Sequence, residues 1–260
     1  MAKSSPSFFF RVMKMEPLPY VDYDSSPSGE SLFALWERGE VSPMPAPLSV
    51  RRRRYRQLIV KLIRRHQPKP CARVLSVGAG NGFTEADLGE EGFRVLATDR
   101  SEVALEYCRR KGLKTLNYEF PSQSLPTPEK FDVIYCDGLL GHLWQSDQGY
   151  ARCWTRLAEF ARVGALLILS NDLADTDDMP VLDVIGAPEA GFFRPPAGWF
   201  AQDAEASQLW TVEEVRLLLY LRRGQPRRRE ILSLRYSLVD ERKEKNDTSN
   251  IERRDFGLVQ

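Results

Sequence analysis

The sequence is poor in the residues that bind metal ions or form disulfide bonds. It has only two histidines, and its four cysteines are widely spaced without a C-x-x-C pair: Cys71, Cys108, Cys136 and Cys153. Zinc sites and disulfide frameworks need such residues in closer, paired patterns. We therefore expect no metal site and no disulfide scaffold, and we expect the reduced thiols that are typical of the cytoplasm.

The chain also lacks net charge and long apolar runs. Its 37 Lys and Arg residues nearly balance 36 Asp and Glu residues, which leaves a net charge of +1. This balance indicates neither a nucleic-acid binder nor a protein of the membrane surface. Because no apolar run is as long as a membrane span and no secretion signal is evident, we expect a cytoplasmic protein without membrane contact.

Apolar and amphipathic segments do alternate along the middle of the chain. Strands are predicted at 73–77, 93–98, 113–117, 131–136 and 164–170, and helices at 83–90, 101–111 and 148–162. The strands "FDVIYC" and "GALLILS" are almost wholly apolar, which is typical of a parallel sheet covered on both faces. The predicted fold class is α/β: a doubly wound, Rossmann-like, mostly parallel sheet of seven strands.

The remaining segments are predicted to flank this sheet. Residues 1–70 would form an N-terminal helical cap, and residues 71–260 the main domain, with a loop-like, substrate-covering insertion at 171–208. The segment "TVEEVRLLLYLRRG" predicts a helix that begins at Thr211 and ends at Gly224. The segments "REILSLRYSLV" and "ERRDFGLVQ" are predicted to pair as a C-terminal antiparallel hairpin.

A glycine-rich turn, "RVLSVGAGNG", follows the first predicted strand. Phe83 stands where the dinucleotide fingerprint needs its last glycine, and no Lys-Ser/Thr pair follows to make a phosphate loop. The next strand ends at Asp99, beside this turn at the same edge of the sheet. A carboxylate there can accept hydrogen bonds from both hydroxyls of a ribose.

Three segments, "VLSVGAGNG", "ATDRSEVALEYCRRKG" and "FDVIYCDGLLGHL", make residues 71–170 resemble the class I S-adenosylmethionine-dependent methyltransferases of small-molecule type. The resemblance implies S-adenosyl-L-methionine as the cofactor. The contacts that it implies are Gly78, Ala79 and Gly80 at the methionine part and ribose, Asp99 at the ribose hydroxyls, Arg100 along the adenine, Glu119 or alternatively Asn117 at the adenine amino group, Phe120 against its ring, and Cys136.

Methyl transfer from a sulfonium is an in-line displacement, in which the protein aligns the acceptor atom and removes its proton. His142 follows the fourth strand, and the unperturbed pKa of a histidine side chain lies near neutrality, so it is the candidate base, with a packing role as the alternative. Asp137, at the end of that strand, is the second candidate and would contact the methionine ammonium or a substrate amine.

The acceptor would be a small organic molecule of specialised metabolism, enclosed by aromatic and polar side chains from the two flanking segments. The candidates for contact with it are Tyr20, Tyr23, Trp36, Arg194 and Trp199. The residues leave open whether oxygen, nitrogen or carbon is methylated, and whether the protein is a monomer or a homodimer.

Two basic runs, "RRRRYR" and "PRRRE", support a rival prediction. They could form a surface for RNA or for an acidic substrate, or they could be solvated faces whose charge is neutralised elsewhere. The near-zero net charge argues against nucleic acid. The sequence is also compatible with a peptide or protein acceptor, and with a non-catalytic module that only binds S-adenosylmethionine.

Overall fold

A computed structural model of the protein describes residues 24, 29–40, 42, 44–126, 128–144, 149–176, 181–184 and 191–237. The helices are α1 (Leu32–Glu37), α2 (Leu48–Arg51), α3 (Arg53–His66), α4 (Phe83–Glu90), α5 (Glu102–Arg110), α6 (Ala151–Phe160) and α7 (Trp199–Ala206), with a short 3₁₀ helix at Leu140–His142. The strands are β1 (Arg73–Val77), β2 (Arg94–Asp99), β3 (Lys114–Asn117), β4 (Phe131–Asp137), β5 (Ala161–Asp172), β6 (Val181–Val184), β7 (Gly191–Arg194), β8 (Trp210–Arg222) and β9 (Gln225–Tyr236).

Seven strands form one mixed sheet in the order β3-β2-β1-β4-β5-β9-β8. Strands β1 to β5 are parallel, β9 runs antiparallel to β5, and β8 runs antiparallel to β9. The predicted α/β class, with its mostly parallel, doubly wound sheet and its antiparallel hairpin, is confirmed. The strand order reverses between β1 and β4, which is where open sheets of this kind form a crevice for ligands.

Helices cover both faces of the sheet, as the apolar strands predicted. Alternate residues of β1 point to opposite faces, so Val74 packs with α3 and α4 while Leu75 packs with α6. On the first face Ile63 of α3 is fully buried, and burying such a side chain contributes about 1.5–3 kcal/mol. Helix α3 thus shares the sheet's core, although it belongs to the predicted N-terminal cap, whose boundary at residue 70 stays a prediction.

The helix predicted at 211–224 is wrong, because these residues form strand β8. The run "LLLYL" has no polar gap, so helix and strand fit it equally well. In the structure the exposed side chains of β8 include Val215, Leu217, Leu219 and Leu221, and they alternate with less exposed neighbours at period two. Backbone pairing along almost the whole of β9 makes this segment a strand and not a helix.

The C-terminal hairpin that the structure describes is built from β8 and β9, and β9 contains residues 229–236 of the segment "REILSLRYSLV", which was predicted as a strand. Its two-residue turn, Arg223 and Gly224, has φ of +51° and +78°. Positive φ at both positions is the backbone that suits a tight hairpin between twisted strands. The segment "ERRDFGLVQ" lies outside the described residues.

Residues 171–208 are more regular than the loop-like insertion that was predicted. Strands β6 and β7 pair as a separate antiparallel hairpin, and α7 follows. Trp144 stacks on Phe193 with ring centroids 4.3 Å apart, and Trp199 meets both rings edge-on. Aromatic packing of this kind stabilises a segment whose composition alone suggested a loop.

Candidate active site

A cleft of about 640 Å³ lies at the carboxyl ends of β1 and β4. Its walls are the glycine turn, the segment from Met44 to Arg52, the tip of the β8–β9 hairpin and part of β7. This volume falls within the range of about 300–1,000 Å³ that is typical of small-molecule sites. The switch point of the sheet, where the strand order reverses between β1 and β4, therefore holds a cleft of the size of a small-molecule site, as the topology predicts.

The glycine turn forms one wall of the cleft and brings bare backbone to its surface. Gly78, Ala79 and Gly80 all line the cleft. Gly78 and Ala79 each donate a backbone hydrogen bond of 2.9 Å to the carbonyl of Thr98 on β2, which fixes the turn against the next strand. The structure brings these three predicted cofactor contacts together.

Gly82 has a different role from the glycines that line the wall. Its φ is +73°, and a Cβ at this position would lie 2.6 Å from Cys108 Sγ on α5. The chain can therefore turn into α4 and pack on α5 only with glycine here.

Asp99 lies at the end of β2, where it is buried and lines the cleft. One carboxylate oxygen accepts from the Gly80 N–H and the other from the Ser101 N–H, both at 2.9 Å. Burial raises the pKa of Asp99, and these backbone hydrogen bonds oppose that rise. Each oxygen keeps further lone pairs, so the carboxylate can accept hydroxyl donors from a ligand.

The residues predicted at the adenine lie beyond the cleft lining. Arg100 Nη1 and Glu119 Oε1 are 3.5 Å apart on the surface, and the alternative, Asn117, donates to the Arg100 carbonyl at 3.2 Å. Phe120 is buried in the core. Arg100 and Glu119 do come together, but their contacts with a cofactor stay predictions.

Cys136 is buried in the core of the sheet and does not line the cleft. Burial raises the pKa of its thiol well above the usual range, so the thiol stays protonated and unreactive. The four cysteines carry no disulfide bond. Among the described residues, no group of three or more His, Cys, Asp or Glu side chains is placed to hold a metal ion.

Asp137 ends β4 at the floor of the cleft, and a buried arginine holds it there. Arg229 of β9 donates to Asp137 Oδ1 and, at 2.5 Å, to Asp172 Oδ1. Tyr55 of α3 donates to the same Asp137 oxygen at 2.9 Å. The second oxygen, Oδ2, is buried and has no hydrogen-bond partner among the described residues, so it is available to a donor on a ligand.

This network ties four strands, β4, β5, β8 and β9, and helix α3 together beneath the cleft. The Ser170 hydroxyl of β5 donates to the Tyr55 oxygen and accepts from Arg229 Nε, each at 2.8 Å. Tyr220 of β8 donates to Asp172 at 2.9 Å. Burial raises the pKa of the Tyr55 hydroxyl, so it stays a donor. Buried charged groups that share several hydrogen bonds hold one another in one geometry.

Glu85, in the first turn of α4, adds another carboxyl group to the cleft lining. It is buried, and Ser76 at the end of β1 donates to its Oε1 at 2.6 Å. Burial raises its pKa to about 7, and the charges of Asp137 and Asp99 add to the rise. This carboxyl group can therefore change charge close to neutral pH and would respond to a cationic ligand.

His142 lies in the 3₁₀ helix after β4 and lines the cleft, as its position in the sequence predicted. Its ring meets Phe192 of β7 edge-on, with centroids 4.7 Å apart and planes at 80°. Asn171 of β5 accepts from the Gly141 N–H at 3.2 Å, which anchors this turn. The imidazole is thus held at the cleft surface by an aromatic neighbour.

Two of the predicted acceptor contacts line the cleft. Trp36 of α1 donates its indole N–H to Ser42 Oγ at 3.0 Å and to the Met44 carbonyl at 3.1 Å, which shapes the N-terminal wall. Arg194 of β7 is buried and donates to Asp175 at 3.0 Å. Trp199 lies in the aromatic cluster instead of the lining, and Tyr20 and Tyr23 lie outside the described residues.

Sequence reasoning missed Glu85, Tyr55 and Arg229. Glu85 is the third residue of α4 and looked like an ordinary acid at a helix N-terminus. Tyr55 stands within the basic run "RRRRYR", which drew attention only to its arginines. Arg229 lies in the polar first half of β9, and a charged residue beside a buried run was the one signal that could have found it.

Residues 74–159 match the model of a family that is described as a methyltransferase domain. A curated relative, a tabtoxin biosynthesis enzyme of Pseudomonas amygdali pv. tabaci, is 31% identical over 149 residues. The aligned part is 56% of this chain and 58% of the relative, so it spans less than two thirds of that protein.

Solved methyltransferases have the same fold. The 1,6-didemethyltoxoflavin-N1-methyltransferase of Burkholderia thailandensis, crystallised with 1,6-didemethyltoxoflavin and S-adenosylhomocysteine, matches with a TM-score of 0.59 at 20% identity. That match covers 70% of this chain and 78% of the other. The magnesium protoporphyrin IX methyltransferase of Synechocystis PCC 6803, with bound S-adenosylmethionine, matches at 0.56 and 17% identity over 83% and 94% of the two chains.

The family match covers the segment that builds the glycine turn, Asp99 and Asp137, and the surrounding sheet has the architecture of the solved methyltransferases. At these identities the structures bear on the fold, and the family match and the site geometry bear on the chemistry. Residues 74–159 therefore match a methyltransferase domain, and the fold around them is that of solved methyltransferases crystallised with S-adenosylmethionine or S-adenosylhomocysteine.

Proposed function

We propose that this protein transfers a methyl group from S-adenosylmethionine to a small-molecule acceptor in the cleft at the switch point. One observation carries the proposal: the glycine turn with Asp99, the candidate base His142, and the acceptor candidates Trp36 and Arg194 all line a single cleft. Donor and acceptor can therefore meet in one enclosed space, which is what an in-line displacement requires.

The acids of the cleft suit the cofactor. S-adenosylmethionine carries a sulfonium and an ammonium, and it supplies the activated methyl group when bound. Asp99 would accept the ribose hydroxyls, and the unpartnered Oδ2 of Asp137 would accept from the ammonium. Glu85 would add a negative charge to the same space. Gly80 leaves room for the ligand, since a Cβ there would meet only the Phe33 ring, at 3.7 Å.

His142 would act as the base that removes a proton from the acceptor atom. Its position in the cleft lining and its contact with Phe192 support this role. A neutral imidazole can accept a proton at neutral pH, and general-base catalysis typically contributes about 10²–10⁴-fold in rate.

The names of two similar proteins, a tabtoxin biosynthesis enzyme and a methyltransferase of 1,6-didemethyltoxoflavin, support a biosynthetic setting and a small acceptor. The cleft is also of small-molecule size. No described helix combines the length and the apolarity that a membrane crossing needs. A cytoplasmic enzyme of specialised metabolism is the setting that we propose.

The test is a reaction with methyl-labelled S-adenosylmethionine and a metabolite extract, with the labelled product identified by mass spectrometry. We expect one small labelled product, whereas label in RNA or protein would favour the rival acceptors. Tight cofactor binding with no labelled product in any fraction would favour a non-catalytic binding module.

The two histidines of the chain offer a matched pair of variants for the base. His142→Ala should lower turnover by about 10²–10⁴-fold without weakening the binding of S-adenosylhomocysteine. His66→Ala is the control, because His66 lies on α3 beside Glu213 and Glu214, outside the cleft lining. Unchanged turnover in His142→Ala would mean that the ring only packs.

A further inference from the structure

The two basic runs of the sequence meet at the same cleft. Arg51 and Arg52, from "RRRRYR", line it from the N-terminal side, and Arg227 and Arg229, from "PRRRE", line it from β9. The hairpin tip touches the N-terminal wall, where Arg223 donates to the Ser42 carbonyl at 2.6 Å. The runs are thus two walls of one recess, more than 170 residues apart in sequence.

Arginines outnumber acidic residues in the lining of this cleft. Seven arginines line it: Arg51, Arg52, Arg194, Arg222, Arg223, Arg227 and Arg229. Four acids line it: Glu85, Asp99, Asp137 and Asp172. Because the whole chain carries a net charge of only +1, this positive charge is concentrated in the cleft and is not a property of the whole surface.

Two aspartates each accept hydrogen bonds from two of these arginines. Asp172 accepts from both Arg229 and Arg222, at 2.5 and 3.2 Å. Asp175 accepts from both Arg194 and Arg227, at 3.0 Å each. Arg229 also pairs with Asp137, so the charges around Asp172 balance. Asp175 by itself faces two guanidinium groups, which leaves one surplus positive charge there.

Arg51 and Arg52 have no acidic partner among the described residues, and both side chains are exposed. The next two arginines of the run, Arg53 and Arg54, are equally exposed but do not line the cleft. Arg51 and Arg52 therefore reach the cleft, whereas Arg53 and Arg54 do not. A helix face exposed to solvent accounts for Arg53 and Arg54, but not for the position of Arg51 and Arg52 in the cleft lining.

We propose, on the basis of the proposed methyl transfer, that the acceptor carries an anionic oxygen group, a carboxylate or a phosphate, which Arg51 and Arg52 bind. The planar guanidinium fork matches both groups with two parallel N–H···O hydrogen bonds. The acids Glu85, Asp99 and Asp137 serve the cationic cofactor, and the arginines serve the anionic acceptor. Each ligand thus meets groups of the opposite charge.

Calorimetric titration with two probes, citrate and inorganic phosphate, tests this assignment. Each probe is titrated into the full-length protein with and without saturating S-adenosylhomocysteine. The parent should bind at least one probe, and Arg51→Gln/Arg52→Gln should bind it about tenfold or more weakly. The control, Arg53→Gln/Arg54→Gln, removes the same charge and should stay within about twofold of the parent.

The outcomes separate this proposal from the methyltransferase proposal. If both double variants lose the same amount of affinity for the probe, the effect is one of general charge. If neither probe binds to the parent, the cleft has no anion site. Either result overturns the assignment. The relative affinity for the two probes identifies the anionic group. Failure to bind S-adenosylhomocysteine would contradict the proposed function and leave the anion result standing.

An RNA arm uses an oligouridine as the probe. Oligouridine binding that falls equally in both double variants would assign the run to nucleic acid and overturn the proposal. The unaltered affinity of Arg51→Gln/Arg52→Gln for S-adenosylhomocysteine shows that the variant is folded.

Discussion

At the scale of single residues, the cleft depends on carboxyl groups that the backbone and its neighbours hold in place. Asp99 accepts two backbone N–H groups, Glu85 accepts from Ser76, and Asp137 is held by Arg229. Each of the three has a different source of support, so each can be tested by a substitution of its own.

Asp99→Asn should weaken S-adenosylhomocysteine binding by about 10–100-fold, because hydrogen bonds to a charged acceptor contribute about 1.5–3 kcal/mol. The amide would also turn a donor towards the N–H of Gly80 or Ser101, since each carboxylate oxygen now accepts from one of them. Isothermal titration calorimetry gives the affinity. Glu102→Gln, an exposed change on α5, is the control, and an unaltered affinity in Asp99→Asn would place the ribose elsewhere.

Glu85→Gln should change how stability depends on pH. The folded protein keeps the Glu85 proton up to about pH 7, above the ordinary value of 4.5. The folded state therefore binds more protons than the unfolded state in this window, and the free energy of unfolding falls as pH rises from about 5 to 7. Glu85→Gln has no carboxyl group at this position, so its free energy of unfolding does not show this fall. The fall is at most about 3 kcal/mol for a pKa shift of this size.

Urea denaturation of both proteins at pH 5, 6, 7 and 8 checks this expectation. The stability of Glu85→Gln relative to the parent should rise with pH and level off above pH 7. A difference that stays constant over the whole range would mean that Glu85 ionises at its ordinary pKa.

At the scale of secondary-structure elements, strand β9 does more than close the sheet. Its side chain Arg229 reaches across β5 to β4, and the same network includes Tyr55 of α3. The hairpin, the parallel core and the N-terminal helix are therefore coupled beneath the cleft.

Arg229→Met should lower the free energy of unfolding by about 3–5 kcal/mol at pH 7, because it leaves the buried Asp137 without its cation and Asp172 with Arg222 as its remaining arginine. Urea denaturation at pH 7 measures the loss. Arg235→Met, on the same strand, should cost about 1 kcal/mol or less, since Arg235 pairs with Glu213 at the surface; equal losses would contradict the network.

At the scale of the whole molecule, strand β8 is the edge of the seven-stranded sheet. Its exposed row of Val215, Leu217, Leu219 and Leu221 is between 48% and 72% exposed. Exposed apolar edge strands promote association between copies of a chain. The opposite face of β8 packs towards the core through Leu218 and Tyr220.

Leu217→Lys/Leu219→Lys should reduce self-association while leaving the free energy of unfolding within about 0.5 kcal/mol of the parent. Light scattering over a range of concentrations and urea denaturation measure the two effects. Leu218→Lys is the contrasting variant, because its side chain packs on the core, and it should lower stability. A comparable loss of stability in the double variant would mean that the exposed row is covered in the folded protein.

The sheet could be predicted from sequence wherever a segment buries both of its faces. Strands β1, β4 and β5 are nearly continuous apolar runs, and they were predicted within a few residues of their observed bounds. Strand β8 could not be assigned in this way, because "LLLYL" has no polar residue to mark a period and its partner β9 follows it in the chain. Its conformation depends on pairing that local sequence does not encode.

The sequence by itself determined the fold class and indicated S-adenosylmethionine as the cofactor. It also placed the glycine turn, Asp99 and Asp137 at one edge of the sheet, because they lie at the ends of strands whose order follows from the βα alternation. Only the tertiary structure decided which arginines face the cleft and which acids they share. Those residues come from α2, β7 and the β8–β9 hairpin, far apart in sequence. Packing of these distant elements brings them together, and no local pattern records that contact.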